Sequence, residues 1–273
     1  MISNFFVEVL NFLTELYRRN PILFGLAVFH LVLFVVLQVI APFDSRQILG
    51  INPWIKPMKF ATSIAIFSAT MGWLLGDLPL GVAAQRFVTG GITAAMLTEI
   101  SLITLQSARG VPSHFNQDTP LDGAIFSIMG LMITFSSLLA LYLLVQYFLL
   151  PTDLPPAYLW GVRLGLILFL LASVEGGFMA GRLAHGVGVA DGGPGLPFVN
   201  WSTEGGDLRI AHFIGLHAIQ VLPLLGYLFD RLNQSGFLAQ PLVWLWVIAL
   251  LYGGLSVGLF LWAMAGHPLL RLV

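Results

Sequence analysis

Glu99 and Glu175 are acids set within long apolar stretches, and each is followed seven residues later by a polar or basic group, Gln106 and Arg182 respectively. Seven residues is about two helical turns, so on a helix each acid shares a face with its follower. An ionisable side chain in an apolar membrane segment is costly and is retained where it pairs, relays protons or serves a ligand. That makes Glu99 and Glu175 candidates for proton transfer or metal ligation. A further segment, Gly206-Asp207-Leu208-Arg209-Ile210-Ala211-His212-Phe213-Ile214-Gly215-Leu216-His217-Ala218-Ile219-Gln220-Val221-Leu222-Pro223, spreads Arg209, His212, His217 and Gln220 over one broad polar face. At about 100° per residue the two histidines stand roughly 140° apart, too far to clamp one ion as an i, i+4 pair does.

Other chemistry-bearing residues gather near the ends of apolar stretches. Arg109-Gly110-Val111-Pro112-Ser113-His114-Phe115-Asn116 is a proline-broken turn that aims His114 at the mouth of whatever the stretches form. Lys56 and Lys59 open another stretch, with Pro57 tolerated in its first turn. Asp44 and Arg46 complete a rim. His30 and His217 are expected at mid-depth, whereas His185 and His267, lone histidines near an interface, read as locally satisfied or solvated residues rather than ligands.

The elements that must position these groups follow from composition. The chain has 273 residues, 58% of them hydrophobic and 9% charged, against about 25% charged in an ordinary soluble domain. So few charges cannot cover a water-facing surface. A membrane-spanning helix needs about 20 mainly apolar residues, and seven stretches meet this, at 21–41, 54–76, 87–108, 121–150, 157–181, 208–229 and 241–265. The expected fold is an all-α, polytopic bundle of seven transmembrane helices over residues 20–273. Residues 1–19 are expected to form an interfacial amphipathic helix, with Phe5, Phe6, Val9, Leu10, Leu13, Leu16 and Tyr17 on one face and Asn4, Glu8, Asn11 and Glu15 on the other. Glu8 and Glu15 argue against a cleaved signal peptide.

Asn20-Pro21, Asn52-Pro53 and Thr119-Pro120 each place a capping side chain before a proline suited to the first helical position, and Asp207 reads as the N-cap of the sixth span. Gly72/Gly76, Gly161/Gly165, Gly177/Gly181 and Gly254/Gly258 are small-xxx-small pairs that let helices approach. The longest connection, 183–206, is rich in glycine and carries Phe198, Asn200 and Trp201, which reads as a lid. Seven spans put the termini on opposite sides. The N-terminal side holds Arg18, Arg19, Arg86, Arg163 and Arg231; the other holds Arg46, Lys56, Lys59, Arg109, Arg182, Arg209 and Arg271. A literal positive-inside count favours the second side as cytoplasmic. Most of those cations sit beside acids, histidines and the lid, however, so the expectation is a cytoplasmic N-terminus in a bacterial inner membrane.

Three strings, Asn52-Pro53-Trp54-Ile55-Lys56-Pro57-Met58-Lys59-Phe60, Arg109 to Asn116 and Gly206 to Pro223, resemble those of an uncharacterised family of bacterial multi-pass membrane proteins. The resemblance runs over most of residues 50–225. It implies a multi-pass fold and supplies no activity.

Composition narrows the function classes. With 12 Lys plus Arg against 13 Asp plus Glu and no basic run longer than Arg18-Arg19, nucleic-acid partners are set aside. Zero cysteines exclude disulfides, iron–sulfur clusters, thiolate zinc and covalently attached c-type haem. The seventh span has no lysine for a retinal Schiff base. The first expectation is a b-type haem or other quinone-linked redox site, with His30 and His217 (or His212) as cofactor ligands. Arg209, Arg182, Arg109, Lys56 and Lys59 would be anionic-group anchors, and Gln106 and Gln220 supporting donors. The second is a zinc or iron enzyme acting on a lipid-soluble substrate, its metal held by His212, His217, Glu99 and Glu175, with Glu99, Glu175 and His114 catalytic. The third is a proton-coupled transporter or receptor for a small anionic solute.

Overall fold

The computed structural model describes the backbone of residues 2–271 and the side chains of residues 6–271; Asn4 and Phe5 lie outside the described side chains. Among the described residues there are eight α-helices: α1 (Ile2–Arg19), α2 (Pro21–Ile40), α3 (Ile55–Gly76), α4 (Val82–Arg109), α5 (Pro120–Leu149), α6 (Pro156–Arg182), α7 (Arg209–Gln234) and α8 (Pro241–Met264). Helices α2 to α8 are long and apolar enough to cross a membrane. The protein is an all-α, multi-pass membrane bundle.

The helix limits have local causes. Asn20 accepts from the Leu23 N–H and Thr119 from the Asp122 N–H, so two of the three expected proline-preceding caps form. Asn52 does not cap α3. Its amide donates to the Ala41 and Asp44 carbonyls at 2.9 and 2.8 Å while its oxygen accepts from Trp54 N–H, fastening the α2–α3 connection instead. Helix α4 begins at Val82, five residues before the apolar run near 87, because Gln85 and the exposed Arg86 extend it past the apolar zone. It ends at Gly110, whose φ of 77° only glycine adopts without cost.

Packing differs around the bundle. Along α6, Gly161 and Gly165 lie against the Leu222 and Ala218 backbone of α7, and Gly226 of α7 lies against Ala157 of α6; these close approaches make α6–α7 the tightest pair. Helix α3 runs through the centre: Met71, Leu74 and Leu75 are fully buried, Phe67 stacks on Phe169 of α6 at 5.7 Å, and Tyr147 of α5 donates to the Leu74 carbonyl at 2.8 Å. Helix α8 is the most peripheral span, with only Leu245, Ala249 and Ala263 buried, and Gly254 and Gly258 face open space. Helix α1 keeps Leu16 buried and leaves Phe6, Leu10, Leu13 and Tyr17 exposed. Its last turn is pinned to α3 by Arg19, which meets Asp77 at 2.5 Å and lies over the Trp73 ring.

The 183–206 segment has structure of its own. Its ends pair as a short antiparallel ribbon, β1 (Gly186–Val187) with β2 (Gly206–Asp207), in register Gly186 to Asp207 and Val187 to Gly206. A further bridge joins Gly195 to Ser202. The hairpin folds over the end of the bundle where α3 begins and α4 ends.

Candidate functional site

The first turn of α3, the end of α6 and the start of α7 open on the same side, beneath the hairpin. Lys56 on α3 is electrostatically engaged with Lys59, Arg209, Glu99 and Asp191, and it also acts on His114 and His185. Five separate segments therefore supply one polar cluster. Among the described residues Lys56 and Glu99 make no hydrogen bond and no ion pair at contact distance. Glu99 is only 4% exposed, so it is a buried acid whose electrostatic partner, Lys56, stands off across the gap between α3 and α4.

The hairpin reaches into this cluster. Lys59 Nζ donates to the Val199 carbonyl at 3.2 Å, and the Arg209 guanidinium donates to the Asn200 carbonyl. Phe198 and Asn200 hold φ of 64° and 54°, a left-handed backbone that costs roughly 1–2 kcal/mol for a residue with a side chain, less for asparagine. Beside them lies a cleft of ≈ 390 Å³ lined by Leu49, Ile51, Ile55, Gly192, Pro197 and Asn200, among others. Aromatic pairs gather on the same segments: Phe60 packs on His114 at 5.3 Å, Phe115 on Phe126 at 5.7 Å and Trp201 on Phe213 at 5.7 Å.

Asp207 is the hub that fixes this geometry. It is fully buried and grips Arg209 through both carboxylate oxygens, at 2.9 and 2.6 Å. It also accepts from the N–H of Ser202 at 2.9 Å and of Arg209 at 3.1 Å. Helix α7 is thus started by its contact to Arg209 N–H even though Leu208, not Asp207, occupies the cap position. Burial alone would raise the Asp207 pKa, but the Arg209 hydrogen bonds and charge and the Ser202 N–H hold it below the ordinary carboxylate value. Asp191 plays the same part inside the hairpin, accepting from the N–H of His185 at 3.2 Å and of Gly186 at 2.8 Å.

His185, expected to be either satisfied locally or solvated, is enclosed between these acids, with Nδ1 3.3 Å from Asp191 and 3.7 Å from Asp207. Burial first, then the Arg209 charge, push it down to about 4, against the pull of Asp207 and Asp191. Burial, with the charge of Lys56, also depresses His114 well below its ordinary range. Both imidazoles are neutral near pH 7.

These shifts set the sign of a pH effect. The unfolded chain binds a proton at His185 below its ordinary value of 6.5, which the folded site refuses until about pH 4. Stability of the hairpin therefore falls as pH drops through that window, by at most about 1.4 kcal/mol per pH unit. Asp207 acts in the same direction further down: its contribution is complete above 3.8 and lost as pH falls through its lowered folded value. Amide exchange in 183–206 should accelerate between about pH 6.5 and 4 relative to the helices, beyond the intrinsic change. His185→Asn should flatten that profile; an unchanged profile in the variant would assign the effect elsewhere.

Other residues expected at the site are engaged apart from it. Arg109 meets Asp122 at 2.6 Å and also bonds Gln106, whose own amide donates to Asp122 at 2.9 Å. Arg109 and Gln106 thus tie α4 to α5 rather than anchor a ligand. Arg182 is exposed, beside Met264 and the Phe178 ring, and donates to the Gly186 carbonyl at the base of the hairpin at 3.5 Å. His212 donates to the Ala172 carbonyl of α6 at 2.8 Å, its ring against Gly176. His217 donates to Gln220 at 3.2 Å, and Gln220 to Thr70 of α3 at 3.0 Å.

The expected metal quartet is not assembled; of the histidines expected to ligate haem, each makes a local hydrogen bond through Nδ1, and His30 keeps Nε2 buried without a hydrogen-bond partner among the described residues. His30 donates to the Leu26 carbonyl of its own helix at 2.7 Å, on α2. His217 belongs to a chain of contacts ending on α3, and α3 fills the interior with Met71, Leu74 and Leu75. No group of three His, Asp or Glu side chains suited to a metal ion occurs among the described residues, so Glu99, Glu175, His212 and His217 do not converge. Glu175 on α6 makes no hydrogen bond or ion pair among the described residues, one of its carboxylate oxygens being buried.

Sequence reasoning thus placed Lys56, Lys59, Glu99, His114 and Arg209 in one region, and the structure brings them together. It passed over Asp207, Asp191 and His185 as site residues. The only available signal was an acid preceding Arg209 by two residues and another within a glycine-rich stretch. No protein-family model, curated protein or solved structure matches the chain.

Proposed function

We propose that the protein binds a small anionic solute in the lidded site at the head of α3 and couples binding to protonation of Glu99, as a proton-coupled transporter or receptor does. The observation that carries this reading is Lys56: a cation at the mouth of the bundle with no acid at contact distance and a buried carboxylic acid standing off from it. While Glu99 is ionised it competes with a ligand for the Lys56 charge. Protonated, it releases Lys56 to the anion. Anion binding is then accompanied by proton uptake, and affinity rises as pH falls, by up to about tenfold per unit while Glu99 titrates. We further place the protein in a bacterial inner membrane with the N-terminus cytoplasmic, which opens the site to the opposite face.

Proteoliposomes carrying an internal pH dye test the coupling. Addition of an anion panel (phosphate, sulfate, acetate) should acidify the lumen in the wild type. Lys56→Gln should weaken apparent affinity about 10- to 100-fold, the worth of a hydrogen bond to a charged group. Glu99→Gln, a fixed mimic of the protonated acid, should still bind anion with pH-independent affinity but carry no proton. Equal pH dependence in wild type and Glu99→Gln would overturn the coupling. A Soret band in the detergent-purified protein would restore the haem reading.

A further inference from the structure

Two of the three site cations donate to the lid's own backbone, Arg209 while also paired with Asp207. Lys59 holds the Val199 carbonyl at 3.2 Å and Arg209 the Asn200 carbonyl; consecutive residues of one peptide segment thus present their oxygens to two cations. That segment includes left-handed backbone at Phe198 and Asn200. Asn200 also lines the cleft, and Lys56, the third cation, holds no oxygen among the described residues.

Resting on the anion-site reading above, we propose that the Val199 and Asn200 carbonyls are place-holders for the oxygens of a phosphoryl group. In the empty protein the lid occupies the ligand's position on Lys59 and Arg209. A phosphoryl group displaces the 198–200 segment and bridges Lys56, Lys59 and Arg209. The ligand class follows from the donors. Arg209, whose Nε–Nη2 edge is held by Asp207, offers the Nη2 donor that now holds the Asn200 carbonyl, while Lys56 and Lys59 add two separate ammonium groups three residues apart on one helix. A tetrahedral centre with three anionic oxygens reaches three such donors, whereas a carboxylate has only two oxygens to give. The same chemistry arrives either as a soluble phosphate or as a phospholipid headgroup entering from the bilayer.

The chain contains no cysteine, so Val199→Cys introduces a single thiol on the lid without removing the carbonyl that Lys59 holds. In dodecyl maltoside micelles, which are free of phosphate, two measurements are made on the full chain: maleimide labelling rate at position 199 and calorimetric binding of inorganic phosphate. Phosphate should bind and speed labelling about tenfold, saturating at the same concentration, as expected when ligand shifts a closed population to open. Lys59→Gln, which cuts one tether and leaves the Asp207–Arg209 pair intact, should label fast without phosphate and respond little to it. A response to micelles doped with phosphatidic acid, with none to inorganic phosphate, supports the site with a headgroup as its occupant. Phosphate binding that depends on Lys56 but leaves labelling unchanged overturns the place-holder role while sparing the anion site. Absence of binding by either source, in wild type and Lys59→Gln alike, overturns both.

Discussion

Replacing Asp207 by alanine is expected to release the hairpin from the bundle while leaving the seven spans in place. The carboxylate holds four donors at once: Arg209 through Nε and Nη2, and the N–H groups of Ser202 and Arg209. All converge on a side chain with no exposed surface. Removing one member of a buried pair costs about 3–5 kcal/mol, because the remaining charge is left uncompensated. Arg209 is partly exposed and can turn toward water, which sets the expected loss near the lower end, about 3 kcal/mol. The loss is local, since the donors lie in the hairpin and the first turn of α7. Amide exchange in 183–206 should therefore quicken by about a hundredfold, at 1.4 kcal/mol per tenfold, while protection in α3 to α6 stays unchanged. Asp191→Ala removes two backbone contacts and no close cation, so its effect should be smaller, about 1–2 kcal/mol. Protection in the hairpin equal to wild type in Asp207→Ala would show that the ribbon and its aromatic contacts, not the carboxylate, hold the lid down.

The fold was legible because the bilayer imposes a length. Each apolar run of about 20 residues must become a helix, since no other backbone satisfies its own polar groups in lipid; hence the agreement of α2 to α8 with the seven stretches read from composition. The site was legible only in part, for reasons that differ by residue. Lys56, Lys59, His114 and Arg209 all lie at span ends on one side, and parity of spans is enough to bring such residues to one face. Whether a mid-span polar group reaches that face depends on rotation about its helix axis and on nearer partners. His212 and Gln106 each found one, the Ala172 carbonyl and Asp122. His30 turned back on its own helix at Leu26. Such local satisfaction is the usual fate of a lone polar side chain between membrane helices. Asp207 and His185 were not legible as site residues for another reason. They are brought close by the pairing of Gly186 with Asp207, and a register between two-residue strands at the ends of a glycine-rich connection leaves no periodic trace in sequence.

The largest global loss is expected at Gly226. In an exposed helix interior, exchanging glycine for alanine stabilises by up to about 1 kcal/mol, because alanine has the better helix propensity. At Gly226 the sign should reverse. An added Cβ would press on the Ala157 carbonyl oxygen, stand 2.7 Å from the Ala157 carbonyl carbon and 2.8 Å from Tyr158 Cα. All three are backbone atoms of α6, which cannot swing aside as a side chain can. Their position is itself fixed, because Asp230 of α7 accepts from the N–H of Tyr158 at 2.8 Å and of Ala157 at 3.4 Å. Relief requires α6 and α7 to separate along a seam that also includes Gly161 and Gly165, so several close contacts are lost together. Overpacking typically costs 1–3 kcal/mol; a clash with fixed backbone places Gly226→Ala at about 3 kcal/mol and Gly226→Val beyond it. Gly90 and Gly130 are the controls: both are helical and have nothing within 4 Å of an added Cβ, so Gly90→Ala and Gly130→Ala should be neutral or stabilising. Unfolding in a detergent titration separates the two classes. Helix α7 also carries Arg209, so Gly226→Ala should lower anion affinity as well, although position 226 lies more than four turns away along the helix. Equal stability of Gly226→Ala and Gly90→Ala would mean that the α6–α7 seam is looser than these distances require, and that the placement of Arg209 over Lys59 does not depend on it.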